Sequence, residues 1–343
     1  AIFEAFKAGQ VSAYREANVA KWLSSYDFPA VQSGAVIKAE IPHGRPSGIE
    51  GFAFNTRKPL FADWRVREAL ILAFNFEFIN QTLNGGALPR IPSYFGNSSL
   101  GMEPGKPAEG RELELLEPFR AELPPGAIEG YALPVSNGDQ SNRKNIRAAA
   151  NLLEEAGWTV GEDGVLKNAR GEPFTFEILL VTGQDEMASA AQVYIEALKT
   201  LGITATLNKV DDAQYKERTN AYDFDMTHYI RSLSLSPGNE QLLYWGAGGV
   251  TEPGTRNWMG VNSPAVEAMV AAAAAIAVVY PHMNSIGGDG FWLIAEPGRE
   301  PDEVVGRGVG VTDDHAADRL GDQVRDVGED HLPAELPVRE RPG

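Results

Sequence analysis

Between residues 141 and 231 the hydrophobic pattern switches repeatedly between two periods, and this switching narrows the possible folds more than any other feature. Phe174, Phe176, Ile178 and Leu180 alternate as strand residues do, and Met187, Ala191, Ile195 and Leu198 then recur at helical spacing before Gly202. Residues 203–210 and 224–230 read as further strands, separated by the polar helix candidate 211–220. A strand, helix, strand, helix, strand series buries its apolar faces by crossing back over a sheet, so the fold class is α/β.

The upstream part carries compatible signals. Ile2, Phe3 and Phe6 are spaced as on a helix ahead of Gly9, and Phe52 and Phe54 alternate before a turn at Asn55 and Thr56. Asp63 is placed to cap a helix whose Val66, Ala69, Leu70, Ala73 and Phe74 form an apolar face directed at the core. Residues 104–134 are rich in proline and glycine and read as a surface excursion, broken by a helical candidate at 112–122 that Pro118 kinks. Ile146, Ala149, Ala150 and Leu153 mark a helix that stops at Gly157.

At 343 residues, 43% of them hydrophobic, the chain is long enough for two compact units. A net charge of −17 disfavours nucleic acid and anionic membrane as partners, because the summed field repels both. With no cysteine, disulfides, thiolate metal sites and a cysteine nucleophile are excluded. The longest apolar run, residues 268–279, falls well short of the ~20 residues of a membrane-spanning helix and reads as a buried helix. Beyond residue 269 the character changes: residues 299–343 hold twelve acidic and six basic residues, every base an arginine, and no aromatic ring, which reads as an irregular acidic tail without a core.

Few residue groups point to chemistry. His43, His228, His282, His315 and His331 lack the spacing of a zinc site, and His228 reads as a hydrogen-bonding residue beside a sheet. Asp223 and Asp225 sit two apart on a strand and are expected to face solvent together. The glycines 287, 288 and 290 lack the lysine of a phosphate loop, and no Gly-x-Ser-x-Gly elbow occurs. No catalytic residue, metal or cofactor is expected. The most suggestive stretch is 231–245, Arg-Ser-Leu-Ser-Leu-Ser-Pro-Gly-Asn-Glu-Gln-Leu-Leu-Tyr-Trp, directly after a strand, where α/β folds place ligand loops. It also reads as an ordinary strand-to-helix loop with Tyr244 and Trp245 in the core. Tyr94, Phe95, Asn97 and Ser98 pose the same choice between lining a cleft and anchoring a loop.

The run at 51–70, Gly-Phe-Ala-Phe-Asn-Thr-Arg-Lys-Pro-Leu-Phe-Ala-Asp-Trp-Arg-Val-Arg-Glu-Ala-Leu, resembles the signature of family 5 extracellular solute-binding proteins of ABC importers. Residues 2–9 and 148–158, the latter ending Asn-Leu-Leu-Glu-Glu-Ala-Gly-Trp, resemble the same family in the same order. Residues 26–31, 93–95 and 236–241 are most similar to the branch importing oligopeptides, including microcin-type peptides. The resemblance covers about residues 1–270. It implies the second lobe of a two-lobed clamp of the type II periplasmic binding proteins, without the amino-terminal half of the first lobe and the export signal. It further implies a periplasmic or otherwise extracytoplasmic, monomeric, non-enzymatic receptor that takes an oligopeptide and hands it to permease subunits. Carried onto this chain, the ligand contacts would be Tyr94, Asn97, Ser234, Asn239, Tyr244 and Trp245. The aspartate that oligopeptide binders often place before the loop proline is absent, since Leu233, Ser234, Leu235 and Ser236 precede Pro237.

Residues 271–298 resemble the amino-terminal helix, turn and strand of gamma-glutamyltranspeptidases, whose nucleophile is a threonine exposed by self-cleavage. Thr312, the one later threonine, lies outside that match. An alternative reading is thus a transferase remnant lacking its nucleophile, or a non-functional fragment. Two partial resemblances followed by an arginine-only tail suggest a fused or misread gene.

Overall fold

The computed structural model describes residues 2–16, 18–235, 240–271, 283–285 and 291–295, the last two segments as backbone. They belong to one compact unit, Ala1–Ala295; the other unit, Glu296–Gly343, with the acidic tail read at 299–343, lies outside the described residues. So do His282, His315, His331 and the glycines 287–290.

The strands are β1 (Ala13–Glu16), β2 (Val36–Ala39), β3 (Ile49–Phe54), β4 (Thr159–Val160), β5 (Leu166–Lys167), β6 (Thr175–Val181), β7 (Thr204–Val210), β8 (Met226–Arg231), β9 (Met283–Ser285) and β10 (Phe291–Ala295). The helices are α1 (Ile2–Lys7), α2 (Val19–Ser24), α3 (Pro29–Gln32), α4 (Trp64–Ala73), α5 (Phe76–Asn84), α6 (Gly110–Leu116), α7 (Arg143–Glu155), α8 (Asp185–Lys199), α9 (Asp212–Asn220), α10 (Glu240–Trp245) and α11 (Pro264–Ala271). The main sheet runs β7-β6-β8-β3-β9. Its β7, β6 and β8 are parallel, joined by the crossovers α8 and α9, and β3 is antiparallel to β8 with Phe52 opposite His228. The α/β class read from the sequence holds. A smaller antiparallel sheet runs β1-β10-β2, and β4 with β5 forms a hairpin.

Both faces of the main sheet are covered, which is why β6 departs from strict alternation: Ile178, Leu179 and Leu180 are all fully buried. One face packs under α4, α7 and α8, where Phe52, Phe54, Phe174 and Phe176 meet Leu70, Leu153 and Tyr194. Tyr194 donates its buried hydroxyl to the Leu70 carbonyl at 2.9 Å, so the aromatic ring brings no unpaired polar atom into the core. On the opposite face Ile49, Ala53 and Tyr229 meet Tyr94, Phe95, Met259 and Val266, and Leu179 meets Val210, Tyr222 and Phe224.

The helix start at Asp63 is as expected: its carboxylate accepts the Arg65 amide at 2.9 Å and also binds the Arg65 guanidinium. The face of α4 is broader than the sequence implies, because Ile71 is as buried as Leu70. In α7 the buried positions are Asn145, Ala149 and Leu153, while Ala150 faces solvent. The helical candidate at 112–122 is instead α6 followed by a 3-10 turn at Glu117–Phe119, since Pro118 lacks the amide needed to continue. The expectation for Asp223 and Asp225 is corrected. Both precede β8; Asp223 pairs with Arg218, while half-buried Asp225 accepts the Glu177 amide at 2.9 Å and lies 3.8 Å from Lys58. It tethers the mouth of β8 to β6 rather than facing water.

The turn after β3 gathers distant backbone. Asn55 donates to the carbonyls of Tyr222 and Phe224, both at 2.9 Å, and Thr56 to that of Met259 at 2.7 Å. Half-buried Arg57 lies on the Tyr222 ring and donates to the carbonyls of Gly249, Val250, Asn257 and Trp258.

Two stability outcomes follow. Leu70→Ala should cost about 2–5 kcal/mol in urea unfolding, because the site is fully enclosed, whereas Ile230→Ala, at a position 54% exposed, should stay within about 0.5 kcal/mol. Arg57→Met should cost at least about 3 kcal/mol, since it strands several carbonyl acceptors at once; a loss below 1 kcal/mol would mean water replaces the guanidinium.

Candidate functional site

Strand β8 delivers its last side chains to the edge of the second core. Period two puts Tyr229 and Arg231 on one face and His228 and Ile230 on the other. On the first face the Arg231 guanidinium lies 5.2 Å from the centre of the Tyr229 ring, 5.6 Å from Tyr244 and 5.9 Å from Trp258. Burial pushes the Tyr229 phenol up to about 12, with the Arg231 charge working against the rise.

After β8 the chain passes through 232–235 and enters α10, which carries Tyr244 and Trp245. Trp245 meets Tyr94 edge to face with ring centres 4.6 Å apart, and Tyr244 lies 6.2 Å from Trp245. The Trp245 indole donates to Gln241 at 3.0 Å, and Arg256 donates to the Tyr244 hydroxyl at 2.9 Å. The return from α10 is closed by fully buried Asn257, which donates to the carbonyls of Gly246 and Val261 and accepts the Val261 amide.

The loop at 93–98 is held by hydrogen bonds to the segment 43–47 that leads into β3. Ser47 donates its amide to the Gly96 carbonyl at 2.8 Å, and Asn97 donates its side-chain amide to the carbonyls of His43 at 2.9 Å and Arg45 at 3.0 Å. Gly48 lets the chain enter β3 beside the end of β8. It has a φ of +67°, and a Cβ there would stand 2.1 Å from the Arg231 carbonyl oxygen.

Of the six ligand-contact positions, the structure thus brings Tyr94, Tyr244 and Trp245 into one aromatic cluster. Tyr244 is 7% exposed, as the core alternative has it, and Tyr94 at 3% is buried as a loop anchor would be, while Trp245 is half-buried at the cluster's rim. Asn97 stands apart with both amide hydrogens spent on the loop at 43–45. Ser234 is exposed, and Asn239 lies outside the described residues. Arg231 opens the stretch singled out in the sequence without being among the six contacts, and Arg256 and Trp258 were not picked out. Alternation gives Arg231 the same face as Tyr229, but nothing local ties residues 256–258 to it.

On the other face a polar group sits at the carboxyl ends of β6 and β8. His228 is the hydrogen-bonding residue the sequence implies: Nε2 lies 3.2 Å from Glu50 and Nδ1 2.9 Å from the Gln184 side-chain amide. If the amide donates to Nδ1, Nε2 carries the proton toward Glu50. Burial, and then the neighbouring Glu50 carboxylate, push the Glu186 carboxyl up. Among the described residues no three metal-ligating side chains converge.

A raised carboxyl favours the folded state below its unfolded pKa, and that benefit is lost as pH rises through the folded pKa. Compared with Glu186→Gln, the unsubstituted chain should therefore lose ground as pH rises above the ordinary glutamate range of about 4. Urea midpoints measured across that rise test this, and a gap that does not change with pH would count against it.

Over residues 1–252 the chain matches the bacterial extracellular solute-binding proteins, family 5 Middle, and over residues 260–313 the gamma-glutamyltranspeptidases. It is 41% identical over 275 residues to a binding protein of Brucella melitensis, covering 80% of this chain and 44% of that one. It is 38% identical over 271 residues to the peptide-binding protein YejA of Agrobacterium fabrum, covering 78% of this chain and 44% of the relative. The chain spans about half the length of the curated relatives it matches. Among solved structures it is similar to the oligopeptide-binding protein AppA of Bacillus subtilis in complex with a nonapeptide, with a TM-score of 0.61 at 18% identity over 87% of this chain and 54% of that one. That likeness concerns the fold, and it agrees with the type II binding-protein architecture implied by the resemblance at residues 51–70. The family match takes in β1 to β8 and the whole of α10, and the chain belongs to the family 5 bacterial extracellular solute-binding proteins.

Proposed function

We propose that this chain supplies one wall of the peptide cleft of an extracytoplasmic receptor serving an ABC importer. The observation that carries the reading is the aromatic cluster at the end of β8, where Trp245 meets Tyr94 edge to face and Tyr244 at a tilt, with Arg231 beside Tyr244. Rigid rings next to a charged group suit ligands with an irregular apolar surface and a polar backbone, as peptides have. Exposed Leu235, Leu242 and Leu243 on the same stretch add apolar surface that a ligand would cover. Family membership and the relatives named above support the same reading.

On this reading Trp245 is the main contact, being the member of the cluster that reaches solvent. Tyr94 acts through it, holding the indole in place. Ser234 and Asn239 offer hydrogen bonds from the loop between β8 and α10, and Asn97 holds the neighbouring loop while keeping its side-chain oxygen for the ligand. Microcin-type peptides fall within the cargo class, the receptor works as a monomer outside the cytoplasm, and permease subunits receive the cargo. A second reading, a transferase remnant, is favoured by the match at 260–313.

Isothermal titration of the chain with a mixed oligopeptide pool, with mass spectrometry of what co-purifies, is the direct test. Saturable binding is expected, weakened about tenfold by Trp245→Ala, as for an aromatic contact at the centre of an interface. An absence of peptide binding, or a W245A variant that binds as tightly as the parent, would overturn the reading.

A further inference from the structure

Asparagine is followed by glycine twice in the sequence, at 84–85 and at 137–138, and the fold treats the two pairs in opposite ways. Asn84 ends α5 and is 2% exposed, and the amide that follows it, that of Gly85, donates to the Asn80 carbonyl. Asn137 is exposed, on the strap of residues 134–142 that leads into α7. Gly138 has a φ of +81° and open space where a Cβ would stand.

An asparagine before glycine is able to react with its own backbone, because no side chain shields the next amide nitrogen. The Gly138 nitrogen gives its proton to hydroxide and attacks Cγ of Asn137, and the carbonyl electron pair moves onto Oδ1. The pair then returns, the Cγ–Nδ2 bond breaks, and Nδ2 takes a proton from water and leaves as ammonia. Water adds to one of the two carbonyls of the resulting succinimide and breaks its bond to the Gly138 nitrogen. Opening at Cγ gives aspartate, and opening at the main-chain carbonyl gives isoaspartate, with the backbone rerouted through the side chain. One water is consumed and one ammonia released, with no change of oxidation state.

The strap is arranged for the first of these steps. The Asp139 amide donates to Oδ1 of Asn137 at 3.2 Å, a turn that folds the side chain back over the Gly138 peptide and sets a donor where negative charge develops. The Gly138 amide donates to the Ser136 hydroxyl at 3.0 Å, a contact in an exposed loop that opens more readily than the helical bond holding Gly85. Around Asn84 burial withholds the water that the later step requires.

We propose that Asn137 is a site of spontaneous deamidation and that the reaction releases the strap. The Asn137 side-chain amide donates to the Asp139 carboxylate at 2.6 Å, and the product sets a second anion there, so that attraction becomes repulsion. The neighbouring contacts hold the starts of two helices. The Asp139 carbonyl accepts the Asn75 side chain at 2.7 Å and the Asn142 amide at 3.1 Å, and Ser136 donates its hydroxyl to Asn75 at 2.6 Å and its amide to Glu77 at 3.0 Å. Asn75 caps α5, and Asn142 stands immediately before α7.

The full chain is incubated in mildly alkaline buffer, and peptides spanning both pairs are followed by mass spectrometry, with isoaspartate assayed in parallel. Asn137 should convert at least about tenfold faster than Asn84, and faster as pH rises, because the attacking nitrogen must lose a proton. In urea the two rates should converge. Conversion of Asn84 at an equal or higher rate in the folded chain overturns the site, and a gap that persists in urea shows that the fold does not cause it. Asn137→Gln should stop conversion at this position. Asn137→Asp, which carries the product's charge from the start, should exchange amide hydrogens faster than N137Q at the starts of α5 and α7. The deamidated fraction of the unsubstituted chain, separated by charge, gives the same comparison should N137D not fold. Equal exchange in N137Q and in the deamidated chain overturns the release of the strap.

Discussion

The turn Asn55-Thr56-Arg57 is the contact on which the second half of the structure depends. It follows the interior strand β3 and satisfies backbone carbonyls at 222, 224, 249, 250, 257, 258 and 259. Those segments have little regular structure of their own, so their polar groups need partners from elsewhere. A guanidinium is suited to this: five donors in a fixed plane can collect several carbonyls that no helix or sheet would bring together. Because the collected segments also carry Arg256 and Trp258, the aromatic cluster owes its assembly to a turn that takes no part in it directly. The same turn lies within the residues that identify the family by resemblance, which gives that signature a structural role rather than a ligand-binding one.

The regular elements were legible in the sequence because they obey local rules. The caps, the periods and the glycine stops near Asp63, Gly157 and Gly202 each act within a few residues, and the structure places α4, α7, α8 and the parallel strands accordingly. Discrepancies arise where distant contacts outweigh local pattern. Asp225 looks like a solvent-facing strand residue until the amide of Glu177 claims it, and Ile71 looks like an off-face residue until α4 is packed on several sides. The site was legible only in part. Tyr94, Tyr244 and Trp245 stand out by residue type and by position near strand ends, yet their mutual contact spans about half the chain and has no local signature. Arg231 was visible as a strand-end cation, but its setting among Tyr229, Tyr244 and Trp258 is a property of the fold.

Aromatic rings and arginines divide the work at the end of β8. The rings are fixed by the core, so they are already ordered before any ligand arrives, and little side-chain entropy remains to be lost on binding. Charge is kept at the rim of that apolar surface, where half-buried Arg231 and exposed Arg256 stay close enough to water to avoid a prohibitive penalty. The polar trio Glu50, His228 and Gln184 occupies the opposite face of the same strand, so alternation along β8 separates an aromatic, cationic side from an acidic one.

The pairing of β3 also has a bearing on the order of folding. Its neighbours come from residues 226–231 and 283–285, and the Glu50 to His228 contact spans 178 positions, whereas β6, β7 and β8 are joined by short crossovers. Contacts that close long loops form slowly, because chain entropy must be surrendered before any attraction is gained. On a ribosome β3 therefore emerges long before either partner and must remain apolar and unpaired, exposing Phe52 and Phe54 to any other extended strand nearby. An interior strand of the finished sheet is then among the last to be enclosed, and a chaperone that shields it during synthesis would do more for yield than any change to the surface of the folded protein.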